Sequence, residues 1–244
     1  MNEKNINTVT RLGGYTAIGG AVTMIIGAVL YFSSGTDLWS ALTVGDMVGY
    51  LVAVAEVKTQ LVASLTFWIL GVLILNMAGT MLAKMCRQRR AWAQVGMVCF
   101  QTGVPLAIVS FIAMLALVVQ IAPDTSATAV STANIVGWIG ARADDLATVL
   151  IIGGGPLFIS LAGRDDWLPT WLLYWGFLAG ISGLVSILSL YIPALASFGF
   201  FIVPVGMGWM LAAGIVALRR SKVTQHSEQA IDTHHLSDKE AALS

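Results

Sequence analysis

Charge is scarce in this 244-residue chain. Asp, Glu, Lys and Arg together make up 11% of it, where soluble domains carry about 25%. That shortage excludes an ordinary soluble enzyme and a disordered polymer. Thirteen basic and thirteen acidic side chains cancel, so no net field attracts a nucleic acid and none is expected as a partner. Only two cysteines are present: Cys86 in a basic segment and Cys99 inside an apolar run. That placement excludes a disulfide framework and reads as free thiols. The histidines, His226, His234 and His235, all fall in the last polar segment. That none falls in an apolar run argues against haem ligation by histidine, a buried histidine metal site and a histidine proton relay. The HExxH, GxSxG and P-loop spacings are missing too. The expectation is therefore no metal, no cofactor and no assignable catalytic residue.

What is present is apolar surface: 57% of the residues, with a mean hydropathy of +0.82. A membrane-crossing helix needs about 20 apolar residues. Six stretches meet that length, at 12–32, 60–82, 92–121, 135–161, 171–192 and 196–218. The first is about 21 residues long, longer than the 7–15 of a cleavable signal core, and reads as a span. The last two are joined at Ile192-Pro193 and are expected to lie antiparallel. Lys and Arg set the orientation. Lys4, Arg11, Lys84, Arg87, Arg89, Arg90, Arg164, Arg219, Arg220, Lys222 and Lys239 fall on one side, and only Lys58 and Arg142 on the other. Both termini are therefore expected in the cytoplasm. That requires an even number of spans, which six satisfies. The expected fold is an all-α, six-helix membrane bundle over residues 1–220 with a disordered cytoplasmic tail at 221–244.

Between the first two spans, 44–57 reads as an amphipathic helix on the outer surface. Residues 123–134 are small and polar and read as a second outer loop. Gly13, Gly20 and Gly27 repeat every seven residues, and Gly176, Gly180 and Gly183 share nearly one face. Small-residue stripes let helices approach closely in lipid, within one chain or between subunits. Trp167, Trp171 and Trp175 read as an interfacial aromatic belt. Asn76 and Gln101, inside the second and third spans, are expected to hydrogen-bond between helices.

The candidate site is the charged cluster Arg142, Asp144 and Asp145 in the fourth run. Arg142 and Asp145 are three apart, so they can pair on one helical turn. If the span starts near Ile135, Arg142 lies roughly 10 Å below its outer end. If it starts near Ala143, the charges are interfacial. Ionisable groups in a span mark either a polar cavity or a structural ion pair. Glu56 and Lys58, at the outer start of the second span, could extend the network or form a solvated pair. Gly153, Gly154, Gly155 and Pro156 interrupt the same fourth run. They read as a hinge or as a kink with close neighbour packing.

Three places carry a family resemblance. Arg11-Leu12-Gly13-Gly14-Tyr15 resembles an Arg-x-x-Gly-x-x-Tyr opening into the first span. Arg142 precedes a small-residue stretch, and Trp167-Leu168-Pro169-Thr170-Trp171-Leu172 with Trp175-Gly176 enters the fifth span. These resemble the bacterial membrane family of domain-of-unknown-function 4386 over about residues 5–220. Thr170 stands where that family usually has Arg, and no glutamate occurs between Phe198 and Leu218, where the family often has one. The resemblance implies six helices and a bacterial cytoplasmic membrane, and no activity. The function expected first is a non-enzymatic membrane protein that binds a small or lipid-like ligand in an outward-facing polar cavity, with transport if the glycine break is a hinge. The alternatives are a structural or accessory subunit, and third an intramembrane enzyme acting on lipid with Asp144 or Asp145 as acid or base. The expected partners are the bilayer and either a second copy or another membrane subunit.

Overall fold

The computed structural model describes residues 3–189, Ile192 and residues 202–241, with side chains described over 7–188, at Ile192 and over 202–221. Among the described residues there are helices and no strands. The first is α1, Glu3–Ser33. Two short helices follow, α2 (Leu38–Val44) and α3 (Met47–Glu56). Then come α4 (Lys58–Met85) and α5 (Arg90–Ala116), the latter running into a π-helical segment, Leu117–Ile121. The next long rod is α6 (Ala127–Thr148), a π-helical segment (Val149–Gly154) and α7 (Gly155–Gly163). Finally come α8 (Thr170–Ser189) and α9 (Ile202–Ala241).

Six helical stretches are long and apolar enough to cross a membrane: Asn7–Ser33, Lys58–Met85, Arg90–Ile121, Ala127–Gly163, Thr170–Leu188 and Ile202–Ser221. This is a polytopic membrane bundle. It matches the six runs read from hydropathy, because lipid obliges each apolar run to satisfy its own backbone hydrogen bonds as a helix. Two boundaries differ. The fourth rod starts at Ala127, so the polar stretch read as a loop supplies its first turns; Ser126 caps it by accepting from Ala129 N–H at 3.3 Å. The polar segment read as a disordered tail continues α9 to Ala241. It holds no proline or glycine beyond Gly214 that would stop a helix. The turn read at Ile192-Pro193 lies outside the described residues from Pro193 onward.

The surface helix read at 44–57 is two helices. Asp37 accepts from the amides of Trp39 and Ser40 at 3.0 and 3.2 Å and opens α2. Gly45, at φ +84°, closes α2 in the left-handed conformation that glycine adopts without penalty. Asp46 then accepts from Gly49 N–H at 2.9 Å and opens α3. Leu38 and Leu42 of α2 lie over Gly137 of α6, so the pair roofs one end of the bundle.

In-chain neighbours pack side by side: α1 on α4, α4 on α5, α5 on α6 and α7, α7 on α8, and α8 on α9. α9 returns to α1 and closes the ring. The glycine stripes form two of these seams. Gly13, Gly20 and Gly27 face Met81, Leu75 and Trp68 of α4. Gly176 and Gly180 face Ser160 and Leu157 of α7, and Gly183 meets Gly153 backbone to backbone. Both stripes are therefore covered within the chain. Between α8 and α9 the closure is polar as well as apolar: Trp175 Nε1 donates to the Val205 carbonyl at 2.9 Å, and the fully buried Trp209 donates to Leu172 at 3.1 Å.

Candidate functional site

Arg142 and Asp145 pair as their spacing predicts, Nη1 to Oδ2 at 3.2 Å. The guanidinium also lies against two indoles, 5.2 Å from the Trp39 ring and 5.1 Å from the Trp138 ring. Those rings meet edge to face at 5.7 Å. Trp138 is one helical turn before Arg142 on α6, while Trp39 belongs to α2. The side chains of Arg142 and Asp145 remain 43% and 26% exposed, so this is a clamp at the bundle's end rather than a sealed ion pair. Of five guanidinium N–H donors, one meets Asp145. Trp39 lies on α2, outside the long helices, and the fourth rod starts at Ala127, ahead of both starts considered from sequence.

Asp144 points elsewhere. At about 100° per residue it stands about 200° around α6 from Arg142. It falls on the stripe of Ala133, Gly137, Gly140 and Ala147, which is the buried face of the helix. Gly140 lies against Ala113 and the Ser110 carbonyl of α5, and Gly137 against the α2 roof. Asp144 is half-buried there and makes no hydrogen bond or ion pair among the described residues. Two polar groups lie on the helices packed around this part of α6. The fully buried Ser110 hydroxyl has no hydrogen-bond partner among the described residues. The Tyr31 hydroxyl of α1, which accepts from Leu38 N–H at 3.4 Å, lies within Coulomb reach of Asp144 and Asp37. Tyr31 begins an aromatic row, with Trp68 of α4 at 5.0 Å and Phe111 of α5 at 5.3 Å beyond it. The three charges read together thus split into a half-exposed pair and, on the inward stripe, a carboxylate unpaired among the described residues.

Glu56 and Lys58 do not join them. Both are exposed, and Lys58 Nζ donates to the Val119 carbonyl at 3.2 Å. The Gly153 to Pro156 stretch is helical throughout, in a π-helical turn followed by α7, with Pro156 in the first turn of α7 where its missing N–H costs least. Its glycines are contact points: Gly153 on Gly183, Gly154 on Cys99 and Gly155 on Phe100.

The opposite, basic end is locked by two acids that sequence reasoning passed over. Asp166 accepts from the backbone amides of Arg87 and Gln88 at 2.6 and 3.1 Å. Asp165 pairs with Arg89 at 2.5 Å and Arg164 at 3.3 Å, and the Arg89 hydrogen bond foremost holds its carboxyl below the usual range. Nearby, Trp167 Nε1 donates to the buried Cys86 sulfur at 3.3 Å. Burial pushes that thiol up to about 11, against the smaller lowering effect of the Trp167 hydrogen bond. Of the expected tryptophan belt, only Trp171 is half exposed; Trp167 and Trp175 serve as donors inside the fold. Asn76 forms no interhelical bond, its Oδ1 being buried without a partner among the described residues, and Gln101 is exposed.

Trp39, Trp138, Tyr31 and Ser110 were not singled out from sequence. Only Trp138 carried a signal, its four-residue spacing from Arg142. The comparisons add no relative: no family model, no curated protein and no solved structure matches the chain.

Proposed function

We propose that the protein is a non-enzymatic membrane receptor or carrier for a small ligand bearing a protonated amine. Asp144 is its inner anchor, and the Arg142–Trp39–Trp138 clamp with Asp145 forms its mouth. One observation carries this reading: a carboxylate on the inward stripe of a membrane helix with no partner among the described residues. Uncompensated charge in a span costs up to about 3 kcal/mol at mid-membrane, and such residues mark ligand or ion pathways. The neighbouring aromatic row supplies π faces for a cation, and Ser110 and Tyr31 supply hydroxyls. In this reading the basic end is cytoplasmic by the charge rule, and the membrane is a bacterial cytoplasmic one if the resemblance to family 4386 holds.

The rival, an accessory subunit, is left without its intended contact surface, because both glycine stripes pack within the chain. The test is native mass spectrometry of protein extracted in mild detergent. A discrete retained mass carrying a basic group, absent from Asp144→Asn and Arg142→Ala, supports the reading. A mass retained by both variants, or a co-purified polypeptide with lipid adducts alone, rejects it.

A further inference from the structure

At the basic end a cavity of about 310 Å³, lined by both polar and apolar groups, opens between the start of α1, the end of α4 and residues of α9. Its wall holds Lys84, Arg87 and Arg220, with Asp166 as the one acid among the described residues that line it. The Asp166 carboxylate is turned to the Arg87 and Gln88 amides, and its backbone carbonyl accepts from Arg220 Nη1 at 2.5 Å. Arg220 is thereby held in place beside the cavity. Lys84 and Arg87 are exposed, and their side chains make no hydrogen bond or ion pair among the described residues. Asn7 also lines the cavity, and its Oδ1 is buried with no partner among the described residues. A half-turn of that amide presents Nδ2 instead, a donor. Met85 and Trp167 add an apolar strip to the same wall.

Three cations converge on a recess whose acid is already engaged, next to an unsatisfied amide. That is a donor set for a tetrahedral oxyanion. The recess lies just beyond the apolar runs of α1, α4 and α9, which end near Leu12, Leu82 and Leu218 where Arg11, Lys84 and Arg219 follow, a position that suits a lipid headgroup. Basic recesses between membrane helices hold anionic headgroups by this combination of charge and position.

We propose that this cavity is a phosphate-ester site, with Lys84 and Arg87 as the direct ligands and Arg220 and Asn7 completing the cradle. The chemistry is shared by a phospholipid headgroup and by free phosphate, and the experiment separates them. The protein is reconstituted in phosphatidylcholine nanodiscs with and without dioleoylphosphatidylglycerol, and its retained lipids are counted by native mass spectrometry. In parallel, inorganic phosphate is titrated against thermal unfolding in lipid-free detergent. The Lys84→Gln/Arg87→Gln double variant and an Arg164→Gln control, outside the cavity at the same end, are run alongside. A phosphatidylglycerol adduct bound roughly thirtyfold more weakly by the double variant, and unchanged in the control, establishes a lipid site. Phosphate stabilisation lost in the double variant, without a lipid adduct, establishes a site for the free anion. Equal retention by wild type and double variant, equal loss in the control, or no binding of either probe overturns the proposal.

Discussion

At the residue scale, position around the helix matters more than position along it. Asp144 and Asp145 are adjacent in sequence and differ in everything else: one pairs at the exposed mouth, the other faces inward without a partner. Asp144→Asn removes an uncompensated charge, so we expect equal or higher thermal stability in detergent together with loss of the retained ligand. A drop in melting temperature would instead identify Asp144 as structural. Cys86 gives a second residue-scale prediction. With its thiol pushed up to about 11, the thiolate fraction near pH 8 is about 0.1%, where an ordinary thiol has roughly a quarter. Maleimide labelling of Cys86 in the folded protein should be at least about tenfold slower than after denaturation. Equal rates would disprove the buried Trp167–Cys86 contact. Asp165 contributes in the usual carboxylate direction. Its lowered folded value adds stability above the unfolded value, and that stability is lost as pH falls through the folded one. Arg89→Gln should therefore flatten the acid limb of a stability-against-pH profile by lowering the neutral plateau slightly, as for an exposed pair, while the acid end stays nearly unchanged.

At the element scale, glycine decides how closely the helices pack. A Cβ at Gly153 would sit 3.0 Å from the Gly183 Cα, a backbone atom that cannot swing aside. Gly19 has nothing within 4 Å. Gly153→Ala is expected to destabilise by about 1–3 kcal/mol, the cost of overpacking, and Gly19→Ala by almost nothing. The comparison is made by unfolding in mixed micelles. Equal losses would show that helix flexibility rather than contact sets the cost. The sequence spacing of Gly13, Gly20 and Gly27 pointed to a packing face, but the choice between a partner helix and a partner subunit needed α4 to be in place. The break at Gly45-Asp46 was likewise unreadable from hydropathy, since apolar residues lie on both sides of it.

At the scale of the whole molecule, the ring of helices closes between α9 and α1. Asn7, Lys84 and Ser221 therefore line one cavity, although they lie far apart in the chain. The charge rule predicts that this end faces the cytoplasm. Single cysteines placed at Gln88 and at Thr125, in a Cys86→Ser/Cys99→Ser background, test it. An impermeant maleimide added to intact cells should label Thr125→Cys and spare Gln88→Cys; the reverse pattern would invert the orientation.

The sequence by itself determined the class of molecule and the number and approximate limits of its spans. The reason is that the bilayer acts on each run separately: length and apolarity suffice, with no neighbour required. It also determined the Arg142–Asp145 pair, a contact within one helical turn. Everything that depends on two helices meeting was decided by the tertiary structure. That covers Trp39 over Arg142, Ser110 beside Gly140, Tyr31 within Coulomb reach of Asp144, the glycine seams, and the basic cavity where α1, α4 and α9 converge. In lipid no apolar pattern distinguishes the buried face of a helix from its lipid-facing one, because both are apolar. Facing is settled only when small residues find the partner they fit.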